Sequence, residues 1–481
     1  MNLEQRLKDL EQRSADLQMP SPQREAVWND VVRYCENYLD YLENAPAFSP
    51  LGDMGETLLD SPFTPEGIPM HEALAMLRTS VDRKGHNTAA AGFLSYVPVS
   101  PTFPSMLGDL LAAVASRYAG HFNAGPGAVR MEHMVQRWMA DVVGYPQSST
   151  GNLTSGGSLA NLIGIVCART ASGIRAKDFD RSVVYMTEHT HHCVDKALCV
   201  AGLDECIVRK VPTDAALRMD ATALERLITE DRAASFIPLI VVANAGTTDS
   251  GAVDPLEDIA RISRANKVWF HVDGSYGGFF ALTPDGKTIL KGIDQCDSLA
   301  LDPPKGLYVP WGCGAVLVRD GNQLYETFKG QGAYMLDVTT PRDVLSPSDL
   351  SPELSKLSRG LRIWLPLKLF GTAPFEAAIE EKLLLAKYAW EKLRGMEGFE
   401  CGPEPDLSIV MFRALAKEGD SNEFNMRIVK AIEEDGRIHV SSTTIHGVVY
   451  LRLAVLGFRT HTKTIDLALE LLRQFADRLD C

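Results

Sequence analysis

Apolar residues along this chain change their period several times, and the changes divide it into three parts. Residues 1 to about 45 repeat apolar positions every three or four residues. That period predicts two amphipathic helices, broken near Met19-Pro20-Ser21-Pro22. Pro46 to Pro69 is rich in Pro and Gly and reads as an extended linker. The spacing then predicts helices at His71–Val81 and roughly Pro104–Ala119, flanking the aromatic loop Gly92-Phe93-Leu94-Ser95-Tyr96-Val97-Pro98. These helices make a poor core alone, so they are expected to wrap a larger body or a second subunit.

From Met131 onward, helical periods alternate with short continuous apolar runs. Helices are predicted near Met131–Val143, Ser158–Ala171, Ala221–Ile228 and Pro255–Asn266. Strands are predicted at Val183–Thr187, Cys206–Val211, Leu239–Ala243, Val268–Val272, Ser298–Leu301 and Gly314–Val318. Continuous apolar strands alternating with helices indicate an α/β unit with a largely parallel sheet covered on both faces. Ligands of such sheets bind beyond the carboxyl ends of the strands.

Past the turn Arg319-Asp320-Gly321 comes a long irregular stretch, about Lys329–Pro352, of the kind that is usually functional or disordered. Helices resume at Leu354–Phe370 and Phe375–Arg394, strands at Leu407–Arg413 and Val448–Val455, and a closing helix at Lys463–Leu479. The last part reads as a smaller α+β domain. The expected division is 1–95 for a helical arm and linker, 96–374 for the large domain, and 375–481 for the small one.

Composition narrows the function more than the fold. The 481 residues are 45% hydrophobic and 23% charged, ordinary for a globular protein. A net charge of −14 leaves no electrostatic footprint for nucleic acid. No apolar run approaches a membrane span; Phe236–Ala243 is the closest and reads as a buried strand. Nine cysteines without a C-x-x-C pair argue against a disulfide framework and fit a reducing cytoplasm. The start, Met1-Asn2-Leu3-Glu4-Gln5-Arg6, reads as a charged helix and not as a secretion signal.

Candidate chemistry gathers at predicted strand ends. Thr154-Ser155-Gly156-Gly157-Ser158-Leu159-Ala160-Asn161 opens a helix, where small residues and free N–H groups suit a phosphate, or where a flexible turn simply caps the helix. Glu188-His189-Thr190-His191-His192-Cys193 resembles a metal site but lacks a partner set. One of these histidines lying flat on a cofactor ring is an alternative, and surface histidines are another. Ala245-Gly246-Thr247-Thr248 offers small hydroxyl groups or a plain turn. Asp273 ends a strand, and a buried carboxylate there needs a partner such as a protonated ring nitrogen. Lys305 follows 32 residues later, in Leu301-Asp302-Pro303-Pro304-Lys305-Gly306. A neutral lysine amine condenses with aldehydes to give a Schiff base. Phosphate cradle, stacking group, carboxylate and lysine together match the needs of pyridoxal 5′-phosphate. A nicotinamide site would need G-x-G-x-x-G, and the Gly-rich turn lacks that spacing.

These residues resemble the pyridoxal-phosphate group II amino-acid decarboxylases, relatives of the aromatic-L-amino-acid and glutamate decarboxylases. The similarity runs from about Gly67 to the C-terminus. It implies the aspartate-aminotransferase-type architecture, fold type I: an N-terminal helical arm, a large seven-stranded domain, a small C-terminal domain, and a homodimer with its active site at the subunit interface. By resemblance, Lys305 is the Schiff-base lysine and Asp273 the pyridinium partner. His191 is the stacking histidine, through the likeness of His191–Ala197 to H-x-S-V-x-[KR]-A, with Cys193 in the serine place. Thr248 and Ser275 line the cofactor, Gly156, Gly157 and Ser158 form the phosphate cradle, and Asp302 stands at a cofactor-binding position where several members have Asn. Tyr334, 29 residues after Lys305, matches a mobile tyrosine that returns a proton after carbon dioxide leaves. Pro304 departs from the family's His, and Tyr96-Val97-Pro98 departs from the more aromatic pocket of some relatives.

The implied activity is decarboxylation of an L-amino acid to the amine, with an aromatic side chain left open. Arg359 is a candidate for loop or carboxylate contacts, with a surface ion pair as the alternative. Pro304 motivates other outcomes at the same site: oxidative deamination to an aldehyde, transamination or carbon–sulfur cleavage. A non-catalytic partner subunit is the remaining reading, and the presence of Lys305, Asp273, His191 and Tyr334 together argues against it.

Overall fold

The computed structural model describes residues 2–50, 55–330 and 344–479. The chain opens with α1 (Leu3–Ser14) and α2 (Ser21–Leu42), separated at Pro20 as the sequence predicts. Asn2 caps α1, its side chain accepting the Gln5 N–H at 2.9 Å. The strand pair β1 (Phe48–Ser49) and β2 (Gly85–His86) brackets α3 (Glu56–Leu59) and α4 (Met70–Ser80). After β3 (Phe93–Leu94) comes α5 (Phe103–Ala115), whose Leu110, Leu111 and Val114 stay exposed. No residue of α1 is buried, and its Leu3, Leu7 and Leu10 lie open.

The central part runs α6 (Pro126–Val142), β4 (Thr150–Thr154), α7 (Gly157–Ser172), β5 (Ser182–Met186), α8 (Cys193–Val200), β6 (Ile207–Lys210) and α9 (Ala221–Ala233). It continues with β7 (Ile237–Asn244), α10 (Leu256–Asn266), β8 (Trp269–Asp273), α11 (Pro284–Ile289), β9 (Ser298–Leu301), α12 (Pro303–Gly306), β10 (Gly314–Val318), α13 (Gly321–Phe328) and α14 (Leu361–Phe370). Its seven strands form one sheet in the order β4-β10-β9-β8-β7-β5-β6. Only β10 runs against its neighbours, so the sheet is mostly parallel. β5, β9 and β10 are buried along their whole length, which explains their unbroken apolar runs.

The C-terminal part comprises α15 (Ala373–Arg394), β11 (Phe399–Cys401), β12 (Ile409–Ala414), α16 (Ser421–Asp435), β13 (His439–Ile445), β14 (Val448–Ala454) and α17 (Thr462–Leu479). Its sheet has the order β11-β12-β14-β13-β3, antiparallel except where β3 joins β13 in parallel. Thus a strand from the N-terminal part completes the C-terminal sheet. We propose the arm, large and small units at 1–95, 96–374 and 375–481, with β3 as the arm's contribution to the small unit. Among the described residues no helix is long and apolar enough to cross a membrane.

Three expectations shift. The helix predicted at Leu354–Phe370 begins only at Leu361, because the preceding residues serve a buried ion pair. Strands β4, β11 and β13 and helices α8 and α16 were not anticipated by period. Of the irregular stretch at about Lys329–Pro352, residues 329–330 and 344–352 are described, and the latter hold one short turn, Pro347–Asp349.

The ion pair is Lys356 to Glu132, at 2.9 Å with both side chains fully buried. Lys356 Nζ also donates to Asn152 Oδ1 at 2.8 Å, and the Arg359 N–H donates to Glu132 Oε1 at 2.8 Å. One cluster thereby joins α6, β4 and the segment before α14. Removing one partner strands a buried charge, which typically costs about 3–5 kcal/mol. Lys356→Met is therefore expected to lower unfolding free energy by about that much, whereas Lys356→Met with Glu132→Gln should recover part of it. Urea denaturation of both variants measures the difference, and equal losses would contradict the coupling.

Candidate active site

The parallel strands β4, β5, β7, β8 and β9 end on one edge of the sheet, and the candidate groups occupy the turns that follow. β4 leads through Gly156 into α7, whose first turn lines a cavity with Gly157 and Ser158. No side chain caps that helix, so its first N–H groups are left for an external acceptor. Gly157 is demanded by close approach: a Cβ there would stand 2.6 Å from Ser275 Oγ.

The turn after β5 carries His191. Its Nδ1 accepts the backbone N–H of Cys193 at 3.2 Å, which places the proton of the neutral ring on Nε2. Burial lowers its pKa, and the Asp273 carboxylate opposes that shift. Cys193 lies beside it, its thiol pushed up to about 12 by burial. β7 is followed by Gly246 and Thr248, and β8 ends at Asp273, which is 7% exposed. Asp273 Oδ1 accepts the Ser275 N–H at 3.0 Å. Ser275 Oγ is buried and has no hydrogen-bond partner among the described residues.

β9 runs into α12, where Lys305 Nζ sits 3.2 Å from Asp302 Oδ2. Burial raises the Asp302 carboxyl above the usual carboxylate range, while Lys305 pulls it down. Pro303 and Pro304 occupy the first turn of α12, where a missing N–H leaves nothing unsatisfied. Gly306 has no room for a side chain, since a Cβ would stand 2.5 Å from Phe279 Cβ.

The structure thus brings Gly157, Ser158, His191, Thr248, Asp273, Ser275, Asp302 and Lys305 to one cavity. Gly156 lies just behind it, packed so closely by Gly314 that a Cβ on the latter would be 2.3 Å from the Gly156 carbonyl carbon. Tyr334 falls outside the described residues. Arg359 is turned elsewhere: its guanidinium holds Glu353 in a two-point contact at 3.0 and 2.9 Å. The histidine cluster does not form a metal site; His189 pairs with Asp249 at 3.5 Å, and His191 alone of the three lines the cavity.

Two supporting groups escaped the sequence reading. Behind the cavity, the Trp269 Nε1–H donates to Ser298 Oγ at 2.8 Å, and Ser298 lies 2.8 Å from His271 Nδ1. His271 Nε2 reaches Asn161 Oδ1 at 2.7 Å, and Asn161 Nδ2 donates to the Gly157 carbonyl at 3.1 Å. Because Asn161 Oδ1 can only accept, the His271 proton sits on Nε2 and Ser298 donates to Nδ1. The chain of bonds fixes the start of α7 against the sheet. The second group is Arg452 on β14. It donates to the carbonyls of Asp249 at 2.6 Å and Tyr96 at 3.3 Å, and to that of Thr248. A lone arginine inside the apolar run Val448–Val455 was the available signal.

The donors and acceptors suit pyridoxal phosphate. The uncapped helix start at Gly157 would suit a phosphate, Ser275 Oγ has no partner among the described residues, and Asp273, His191 and Lys305 line the same cavity.

A family model described as the pyridoxal-dependent decarboxylase conserved domain matches residues 76–415. The aromatic-L-amino-acid decarboxylase of Bacillus atrophaeus is 32% identical, covering 94% of this chain and 95% of its own. The phenylacetaldehyde synthase of Petunia hybrida is 28% identical over 93% of this chain and 92% of its own. A crystal structure of Oryza sativa TDC with PLP and tryptamine superposes with a TM-score of 0.90 at 25% identity, covering 96% of this chain and 99% of that one.

Burial holds the His271 pKa near about 4, against about 6.5 for a free imidazole. Its neutral form therefore contributes stability that is full above pH 6.5 and is lost as the pH falls toward 4, a change of about 3 kcal/mol. His271→Asn is expected to flatten that part of the stability–pH curve. Urea titrations of both proteins from pH 7 to pH 4 check it, and equal slopes would refute the assignment.

Proposed function

The chain belongs to the pyridoxal-dependent decarboxylase family, and we propose that the cavity at its strand ends binds an aromatic L-amino acid. The protein is a pyridoxal 5′-phosphate-dependent carboxy-lyase that converts an amino acid to its amine and carbon dioxide. The aromatic assignment draws on the relatives, whose names specify aromatic amino acids, tryptophan and tyrosine.

When bound, pyridoxal phosphate supplies an aldehyde for amine condensation and a protonated ring that withdraws electrons from the substrate α-carbon. The residues of this chain divide the remaining work. The first turn of α7 and Ser275 Oγ would receive the phosphate. Asp273 would hold the proton on the ring nitrogen, as a buried carboxylate opposite a cation does. The neutral His191 ring would cover one face of the cofactor. Lys305 Nζ would anchor the aldehyde and yield it to the substrate amine. The Tyr334 phenol would then return a proton to the α-carbon, a general-acid role that typically contributes 10²–10⁴-fold. The observation that supports these roles most directly is Lys305, Asp273 and His191 lining one cavity beside an uncapped helix start.

The exposed apolar rows on α1 and α5 support a homodimer in which a second copy covers them. The eight cysteines among the described residues are all free, which supports a cytoplasmic setting. A second outcome at the same site, aldehyde formation, is favoured by one feature. Pro304 is buried where the family carries an imidazole, so the chain has no side-chain donor at that position.

Incubation with a panel of L-amino acids, assayed for amine, aldehyde, ammonia and peroxide, tests the reading. Aromatic substrates are expected to give amine with stoichiometric carbon dioxide; aldehyde with peroxide and little amine would overturn it. Borohydride should label Lys305, and Lys305→Ala should lose the label together with activity. Tyr334→Phe is expected to lower amine formation by about 10²-fold or more.

A further inference from the structure

Strands β8 and β9 also have amino ends, on the edge of the sheet away from the cofactor cavity. The turns there enclose a second cavity of about 290 Å³. β10 runs antiparallel and ends beside the start of β9, with Val318 opposite Ser298. Arg319, the next residue, therefore joins Arg264 and Lys267 from the end of α10 in the lining, together with Ser263 and Asp297. None of the three cations makes an ion pair among the described residues. Asp297 is the one acid of this lining among them, and its Oδ2 accepts the Phe270 N–H at 2.8 Å. Three cations against one carboxylate leave an excess of two positive charges, in a chain whose net charge is −14.

Two of the polar atoms are buried and unsatisfied. Ser263 is 1% exposed, and its Oγ has no hydrogen-bond partner, not even the carbonyl one turn back that a helical serine usually takes. Arg319 Nε is buried and equally without an acceptor, although its backbone is fixed: its N–H donates to the Asp297 carbonyl at 2.9 Å. Arg264 and Lys267 alone would merely complement the end of α10. That reading accounts for neither Ser263 nor Arg319. The helix end itself adds little opposing charge, because the Ser263 and Arg264 carbonyls take the N–H groups of Val268 and Lys267 at 3.0 and 3.2 Å. Two buried donors with cations around them call for an acceptor that brings negative charge.

We propose that this cavity binds a doubly charged tetrahedral oxyanion: free phosphate, or the phosphate group of a monoester. Arg319 Nε and Ser263 Oγ donate to its oxygens, and Lys267 Nζ supplies further charge. The site is separate from the cofactor cavity and does not rest on the cofactor reading. Its lining nevertheless includes Trp269, the first donor in the bonds that run to the Gly157 carbonyl. An anion bound here thus lies against the frame of α7 from behind.

The test is calorimetric titration of the cofactor-loaded full chain, so that the start of α7 is already occupied. Inorganic phosphate, phenyl phosphate and succinate are compared near pH 7, where a phosphate carries about −1.5 to −2 charges, at constant ionic strength because salt screens such contacts. Arg319→Gln keeps the length of the side chain and removes its charge. Lys267→Asn removes the other charge at an exposed position whose φ of 52° suits Asn. Saturable binding of phosphate at one site per chain is expected, weakened about tenfold or more by Arg319→Gln, the loss of one charge-assisted hydrogen bond. Lys267→Asn should weaken it in the same direction, and this surface variant keeps the test decisive if Arg319→Gln folds poorly.

Phenyl phosphate binding as well as phosphate would support a monoester as the ligand, and phosphate binding alone would support the free ion. Succinate binding as tightly as phosphate would overturn the tetrahedral assignment. Unchanged phosphate affinity in both variants, or no saturable binding of either phosphate, would overturn the site and leave the cofactor reading intact.

Discussion

Five strands of one sheet deliver their loops to a single edge, and the polar groups buried there must be paired either within the protein or by what the cavity binds. This constraint organises the molecule. The bonds from Trp269 through Ser298, His271 and Asn161 to the Gly157 carbonyl satisfy three buried side chains and the half-buried Trp269 in one sequence of donors and acceptors. They also set the angle at which α7 leaves the sheet, and hence where its first turn meets a ligand. Gly164 belongs to the same arrangement: a Cβ there would lie 2.6 Å from the His271 ring. Helix, ring and sheet approach one another as closely as packing allows.

The loop after β7 is held by the same logic. Asp254 is fully buried and accepts from the Met219 N–H, the Asn244 N–H and Asn244 Nδ2, at 2.7, 2.7 and 3.0 Å. Burial nevertheless raises its pKa to about 6. On the other side, Arg452 grips the carbonyls of Thr248 and Asp249. Thr248 therefore rests on backbone clamped from both the large and the small sheet, which suits a wall that must not move when ligands change.

The strands buried on both faces were legible as apolar runs, and the candidate residues were legible because the sheet rule points to their ends. β4 was not. Its run Thr150-Gly151-Asn152-Leu153-Thr154 is polar, and Asn152 is satisfied by the Pro347 carbonyl and Lys356, about two hundred positions away. No local period encodes such partners. β13 was missed for a related reason: Ser441, Ser442, Thr443 and Thr444 gain their place from pairing with β14. α16 did carry signals, an Asp420 cap and Gly436 at its end, with Phe424, Ile428 and Ile432 facing inward. For Arg359, the sequence offered a charge and a neighbourhood, while the choice of Glu353 as partner came only from the folded chain.

β3 gives the arm an importance out of proportion to its length. Phe93 pairs with His439, 346 residues further along, and Leu94 with Val440. Two residues on, the Tyr96 carbonyl meets Arg452. The order of segments along the chain is thus not the order in which the protein comes apart. A protease cut in the early residues would unpick a sheet made almost wholly from the last hundred. A fragment that begins after the large unit would leave that sheet without its fifth strand.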